Sequence, residues 1–283
     1  MVLSAMVLAA GLGTRLRPLT DVRPKSLVPV GDRPALDHVL ARLRAAGVER
    51  VVVNAHHHAG PLQAHAAVMP GVSVSVEAEL LGTAGGIQRA GALLGDGDVV
   101  VWNGDILADV DVAALLGAHR DAATLVVQPL PAGQGSVGVD AEGRVVRLRT
   151  ERFGEEAHGG QFLGIQVIGA ALRARLPPSG GLVEDLYLPA MARGETLRAR
   201  WFEGPWSDIG TVASYVAANV AWLEARGERA WVGPGARVGT GVGLERSVVG
   251  ASAFVEGTGT LARCVVWPGA HATAPAEGVV FTA

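Results

Sequence analysis

The sequence predicts an α/β fold, with a mixed, mostly parallel sheet flanked by helices and a short coiled β-domain behind it. Up to about residue 228, short apolar runs alternate with helical patterns, as β-α-β units do. Glycines cluster where the apolar runs end, as a sharp turn from strand to helix requires. From Val232 to Thr282 the chain falls into ungapped rows of seventeen residues.

Residues 2–9 are apolar, stop before Gly11 and read as a strand. Residues 34–46 read as a helix, with Pro34 in its first turn and Gly47 past its end. A strand at 51–54, a helix near 61–68 and a strand at 72–77 come next, then a helix at 84–93 and a strand at 99–103. Such alternation puts ligands beyond the carboxyl ends of parallel strands. Past Ala123 the pattern loosens into antiparallel strands and hairpins through Val146. A strand at 162–168 and helices at 183–192 and 212–225 complete this region, taken as one domain over 1–228.

Residues 229–283 form the second domain. Rows starting at Val232, Val249 and Val266 bring Gly235, Ser252 and Gly269 into one column and Ala236, Ala253 and Ala270 into the next. Val238, Val255 and Ala272 share a third, Leu244 and Leu261 a fourth, and Ser247, Cys264 and Phe281 a fifth. Small and aliphatic residues repeating this way stack inward in a β-solenoid. It resembles a short left-handed β-helix of hexapeptide type, whose open coil ends suit a homo-oligomer contact.

Composition narrows the function. A net charge of -3 and a pI near 6.2 offer no basic face for nucleic acid. No stretch approaches the roughly 18 apolar residues of a membrane span, and the N-terminal run is too short for a signal segment. One cysteine, Cys264, rules out an internal disulfide framework and fits a reducing compartment, the cytoplasm. Of 24 lysines and arginines only Lys25 is a lysine. A lone lysine in so arginine-rich a chain marks a position that needs a compact ammonium rather than a guanidinium fork.

The turn after the first strand carries Gly11 and Gly13, where backbone N–H groups can approach a phosphate, bracketed by the cations Arg15 and Lys25. It is no Walker A loop, since no Gly-Lys-Ser/Thr closes it, and Leu16 stands where a dinucleotide fingerprint needs its third glycine. Asp105 ends an apolar strand and Asp208 lies in a turn before a helix; alone, each reads equally as a turn or cap residue. His56, His57 and His58 are consecutive, so their side chains diverge and read as surface.

Taken whole, residues 11–20 (G-x-G-T-R-L-x-P-L-T) and 24–30 (P-K-x-L-V-P-V) are similar to the signature of the nucleotide-sugar pyrophosphorylases. The chain resembles that family of sugar-1-phosphate nucleotidyltransferases throughout, most of all mannose-1-phosphate guanylyltransferases with a trailing left-handed β-helix. The resemblance implies a Rossmann-like catalytic domain and an EC 2.7.7 enzyme that joins a nucleoside triphosphate to a sugar 1-phosphate, releasing pyrophosphate. It implies that Leu8, Ala10, Gly11, Gly13 and Thr14 cradle the nucleotide, that Arg15 holds the departing phosphates, and that Lys25 bridges the α-phosphate and the sugar phosphate. Glu79, Thr83, Ala84 and Gly85 match the segment that reads the base. A carboxylate only accepts hydrogen bonds, so Glu79 suits the adjacent donors of guanine and favours GTP. Asp105 and Asp208 match aspartates that hold Mg²⁺, with Asp105 joining Arg15 and Lys25 as catalytic residues. Gly135, Gly164 and Glu184 match sugar contacts.

One departure stands out. Many relatives carry Glu-Lys-Pro before the 162–168 strand, the lysine gripping the sugar phosphate, where this chain has Arg147-Leu-Arg-Thr-Glu-Arg. Arg149 or Arg152 could stand in for it. The departure leaves room for a UTP-dependent enzyme acting on a glucose or N-acetylmuramic acid 1-phosphate. A non-catalytic regulatory paralogue is the reading from another class, and intact Arg15, Lys25, Asp105 and Asp208 argue against it.

Overall fold

In the computed structural model, which describes residues 3–282, ten strands form one sheet. They are β1 (Ser4–Leu8), β2 (Arg50–Ala55), β3 (Val72–Val76), β4 (Val99–Asn103), β5 (Ala123–Leu130), β6 (Val137–Val139), β7 (Val145–Leu148), β8 (Glu151–Arg152), β9 (His158–Ile168) and β10 (Leu197–Trp201). Val2, where the first strand was expected to start, lies outside the described residues. By packing, the chain divides into two units. The first comprises residues up to Leu12 with Val39–Trp206, and the second Gly13–His38 with residues from Ser207 onward. The cut at 228 expected from the sequence marks where the repeat begins, whereas packing groups the coils with the preceding helix and with the 13–38 segment.

In the first unit, β1 pairs in parallel with β2 and β4, and β2 with β3. In the other half β9 runs against β4, β5 and β6, while β10 pairs in parallel with β5. β1, β2 and β4 are apolar and buried on both faces, with Met6, Val52, Val99 and Val101 fully buried in a core shared with Leu125, Ile168 and Tyr187, whereas the edge strand β3 is largely exposed. The expected helices form at Ala35–Ala45, Ala59–Ala67, Gly82–Arg89 with Gly91–Leu94, and Val212–Glu224. The 183–192 stretch opens as a π-helical turn, Val183–Tyr187, before the α-helix Leu188–Ala192. Pro189 has no N–H to return to the preceding turn, which therefore widens. Several short elements were not expected, two of them instructive. Helix Val112–Ala118, capped by Asp111, is too short to show a period, and β10 reads Leu-Arg-Ala-Arg-Trp, where arginines hide the strand.

In the second unit, Thr211 caps helix Val212–Glu224 through a reciprocal bond pair with Ser214. The coils behind it are parallel strands consistent with a short β-helix, pairing at the expected interval: Val232 with Val249, Val238 with Val255, Leu244 with Leu261. Ala253, Val255, Leu261, Cys264 and Ala270 are buried, as the columns require. The last coil corrects the alignment. Phe254 to Gly257 still pair with His271 to Ala274, but Leu261 then meets Ala276, and Val266 meets Phe281. Phe281 therefore does not share the column of Ser247 and Cys264. The register slips at Pro275, which cannot donate to a ladder. Among the described residues no helix is long and apolar enough to cross a membrane.

Candidate functional site

In the first unit, the carboxyl ends of three parallel strands gather candidate site residues. Leu8 lies beside Asn103 in the β1–β4 register, so the chain leaving β1 passes the turn that carries Asp105. That turn is pinned twice: Gly104 N donates to Leu8 O at 2.9 Å, and the buried Trp102 indole donates to Ile106 O at 2.8 Å. On the neighbouring strand, Asn54 accepts from Ala9 N and donates to Glu77, both at 2.7 Å, while Glu77 also accepts from Leu81 N at 3.1 Å. Buried polar groups persist only when so satisfied. Leu8, Ala10, Gly11, Glu77, Thr83 and Asp105 line a cavity of about 230 Å³ over this network.

A second cavity of about 470 Å³ shares Leu8, Thr83 and Asn103 with the first. Its far side carries Ser136, Arg149, Gln166 and Glu184. Glu184 stands on the π-helical turn, and its carboxylate is ion-paired with the Arg149 guanidinium. The two cavity walls are stitched together, since Leu182 N donates to Thr83 Oγ1 at 2.8 Å and Ala84 N to Gly180 O at 2.9 Å.

In the second unit Arg15, Lys25 and Asp208 come together. Lys25 Nζ lies 3.9 Å from Asp208 Oδ1, with only 13% of the lysine side chain exposed. Gly210 leaves room for them: a Cβ there would fall 2.8 Å from Asp208 Oδ1 and 3.2 Å from the Arg15 guanidinium. Gly13 takes a left-handed conformation before the 3₁₀ turn Thr14–Leu16, and its carbonyl accepts from Thr20 Oγ1 at 2.9 Å.

The residues fit a hard divalent cation. Asp208 Oδ1 is buried with no hydrogen-bond donor and the Lys25 ammonium stands 3.9 Å away, so this oxygen keeps lone pairs that a hard cation can take. Among the described residues no three His, Cys, Asp or Glu side chains converge, so an ion held by aspartates here would need substrate and water oxygens to complete its shell.

Some expected contacts lie elsewhere. Glu79 is exposed and outside the first cavity, whereas Glu77, which sequence reasoning missed, is 2% exposed on its floor. The signal was available: Ser75 and Glu77 occupy the same face of one extended segment, and both are buried. Ala84 and Gly85 are buried behind the wall. A Cβ at Gly85 would sit 2.6 Å from Pro178 O, so packing alone demands glycine there. Gly135 and Gly164 do not line the second cavity but shape it. Gly164 sits at φ 74° in a bulge of β9 against the Asn103 amide, and Gly135 presents its carbonyl to Arg147. Of the three histidines, His56 bonds to Glu77 O, while the His57 and His58 rings meet at a 57° tilt with centroids 3.9 Å apart.

The Nucleotidyl transferase family model matches residues 4–225. The chain is 36% identical over 240 residues to the N-acetylmuramate alpha-1-phosphate uridylyltransferase of Caulobacter vibrioides, covering 78% of this chain and 97% of that protein. It is 32% identical over 227 residues to the mannose-1-phosphate guanylyltransferase of Mycobacterium tuberculosis, covering 76% of this chain but spanning only 63% of that protein's length. Among solved structures, HddC from Yersinia pseudotuberculosis complexed with GMP-PN superposes with a TM-score of 0.66 at 22% identity, over 78% of this chain and all of that one, a likeness of fold.

Proposed function

The chain belongs to the nucleotidyl transferase family, and from that premise we propose that this sugar-1-phosphate nucleotidyltransferase joins GTP to mannose 1-phosphate, releasing pyrophosphate. The observation that carries the reading is the pair of adjoining cavities with a common wall, which suits two substrates that must meet. The smaller lies at the strand ends beside Asp105 and suits the nucleotide; the larger, with hydroxyl, amide and carboxylate groups, suits a sugar.

The chemistry follows from charge. A sugar-phosphate oxygen attacks the α-phosphorus, forming one P–O bond while the bond to the β-phosphate oxygen breaks and pyrophosphate leaves. The nucleophile is already an anion, so no general base is needed. Repulsion between two polyanions is the obstacle, and fixed cations offset it. In this proposal Arg15 holds the leaving phosphates and Lys25 spans the α-phosphate and the sugar phosphate. Asp105 and Asp208 would hold Mg²⁺, which lowers the charge on the phosphate oxygens when bound. Glu79, exposed at the end of this segment, keeps the part of reading guanine in this proposal, since both carboxylate oxygens of buried Glu77 are already taken by Asn54 and Leu81 N. A cytoplasmic location, where nucleoside triphosphates are made, suits this reaction and belongs to the same proposal.

A second reading rests on the 36% identity across nearly the whole of the Caulobacter uridylyltransferase: UTP with an N-acetylmuramic acid 1-phosphate. Pyrophosphate release measured for each nucleoside triphosphate against several sugar 1-phosphates decides between them. The highest kcat/KM is expected for GTP with mannose 1-phosphate. A UTP pair ahead of it moves the assignment to the second reading, and background rates throughout sink both.

A further inference from the structure

The turn that carries Lys25 is gripped from outside. Ser26, the next residue, is 2% exposed, yet its hydroxyl meets no partner among the described residues and anchors nothing. The grip comes from farther along the same unit. Helix Val212–Glu224 turns Tyr215, Asn219 and Trp222 toward the strand that follows the turn, Pro29–Val30, at the four- and three-residue steps that share a helix face. The Tyr215 hydroxyl donates to Pro29 O, and Asn219 Oδ1 accepts from Gly31 N at 2.9 Å. The Trp222 ring lies so close to Gly31 that no Cβ would fit.

A side chain of the coils completes it. Trp267 follows the coil strand Val265–Val266 and is 2% exposed. Its Nε1 donates to the Tyr215 hydroxyl at 3.0 Å, and the Arg23 guanidinium lies 4.9 Å from its ring centroid. One indole thus meets the chain on both sides of Lys25, directly at Arg23 and through Tyr215 at Pro29. The coils themselves do not call for it. In the two earlier rows the same column holds Gly233 and Gly250, where a Cβ would fall 2.6 Å from Ala251 N and 2.5 Å from Pro268 N. Tryptophan enters the column only in the row that reaches the helix.

The same helix sets the other end of the Lys25 charge pair. Asp208 lies just ahead of its Thr211 cap, and Lys25 Nζ stands 3.9 Å from Asp208 Oδ1. A lysine stem has many free torsions, so its ammonium serves a reaction best when the backbone beneath it is fixed. We propose, resting on the nucleotidyltransferase reading, that Trp267 is a positioning residue for the reaction. Through Tyr215 and Arg23 it fixes the turn that carries Lys25, so that turnover depends on the coils and not on the catalytic sheet alone.

The test is steady-state kinetics on the full chain, with the substrate pair the unaltered protein turns over fastest and with folding checked by circular dichroism at the assay temperature. Trp267→Phe keeps a ring beside Arg23 and removes the donor. It is expected to lower kcat about fivefold or more, with KM for each substrate within about twofold. Tyr215→Phe should lose at least as much, and the double variant no more than Tyr215→Phe, because both changes cut one relay. Leu261→Ala opens a cavity in the coils without touching the relay, and should lower the melting temperature while leaving kcat within about twofold. An unchanged kcat in Trp267→Phe overturns the proposal, and so does a double variant whose losses multiply. An equal fall of kcat in Leu261→Ala also overturns it, because the coils would then act only through stability. If the unaltered protein releases no pyrophosphate with any pair, the functional reading itself falls and takes this proposal with it.

Discussion

Lys25 illustrates how much one side chain can be asked to do. Its ammonium lies 3.9 Å from a carboxylate oxygen of Asp208, a separation for charge attraction rather than a hydrogen bond. A compact cation with rotatable donors can lean from that aspartate toward a phosphate, which a longer planar fork cannot do without displacing its neighbours. Lys25→Arg should therefore lower kcat at least tenfold, about 1.4 kcal/mol of transition-state stabilisation, with little change in melting temperature. Near-normal turnover would remove the argument from lysine usage. The Arg147–Glu156 pair predicts a different readout. The hydrogen bond from Arg147 holds the Glu156 carboxyl below the ordinary glutamate value, despite burial pushing the other way. A carboxylate depressed in the fold contributes stability above its unfolded value and loses it as pH falls through the folded one. Glu156→Gln should cost about 3–5 kcal/mol near neutrality, because it leaves a buried guanidinium without its counter-charge. The deficit should shrink on acidification below the ordinary glutamate range. Denaturant midpoints measured against pH check this, and a constant difference would refute it.

At the scale of elements, the coils are tied to the segment that bears Lys25 by side chains of one unit. Trp267 Nε1 donates to the Tyr215 hydroxyl at 3.0 Å, and that hydroxyl donates to Pro29 O. Burial pushes the Tyr215 phenol up, so it stays protonated as a donor. The Arg23 guanidinium lies 4.9 Å from the Trp267 ring centroid on the other side. Trp267→Phe keeps the ring and removes the donor, and should cost about 1–3 kcal/mol in chemical denaturation. No loss would show the bond to be dispensable. The strands were legible in sequence because valine runs between glycine turns have few other uses, and β4 matched residue for residue. What lay hidden was long-range. Gly82 and Gly85 belong to a nucleotide-like motif, but their missing side chains make way for residues 178–180, a packing set by contacts such as Leu182 to Thr83, 99 residues apart. That Glu77 is buried and Glu79 exposed was not legible either, because which of two nearby acids faces inward depends on where the strand ends. The slip at Pro275 was masked by composition, since small residues fit either register.

Across the whole molecule, positive charge is carried almost entirely by arginine, with acids slightly in excess. Most of those guanidiniums end in exposed ion pairs, such as Arg42 with Asp109 and Arg263 with Glu277, and answer only for solubility. The exception has a practical side. Since no second lysine exists, an acylating dye, a reductive methyl label or a Schiff-base reagent can meet just one side-chain amine, and that amine sits beside Asp208. Spectroscopic reporters placed by such chemistry meet no other lysine, and the α-amine, with its ordinary pKa of about 7.7–8.0, is distinguished by pH. Protection of that amine by a phosphate-bearing ligand would gauge occupancy directly, turning a quirk of residue usage into a built-in probe.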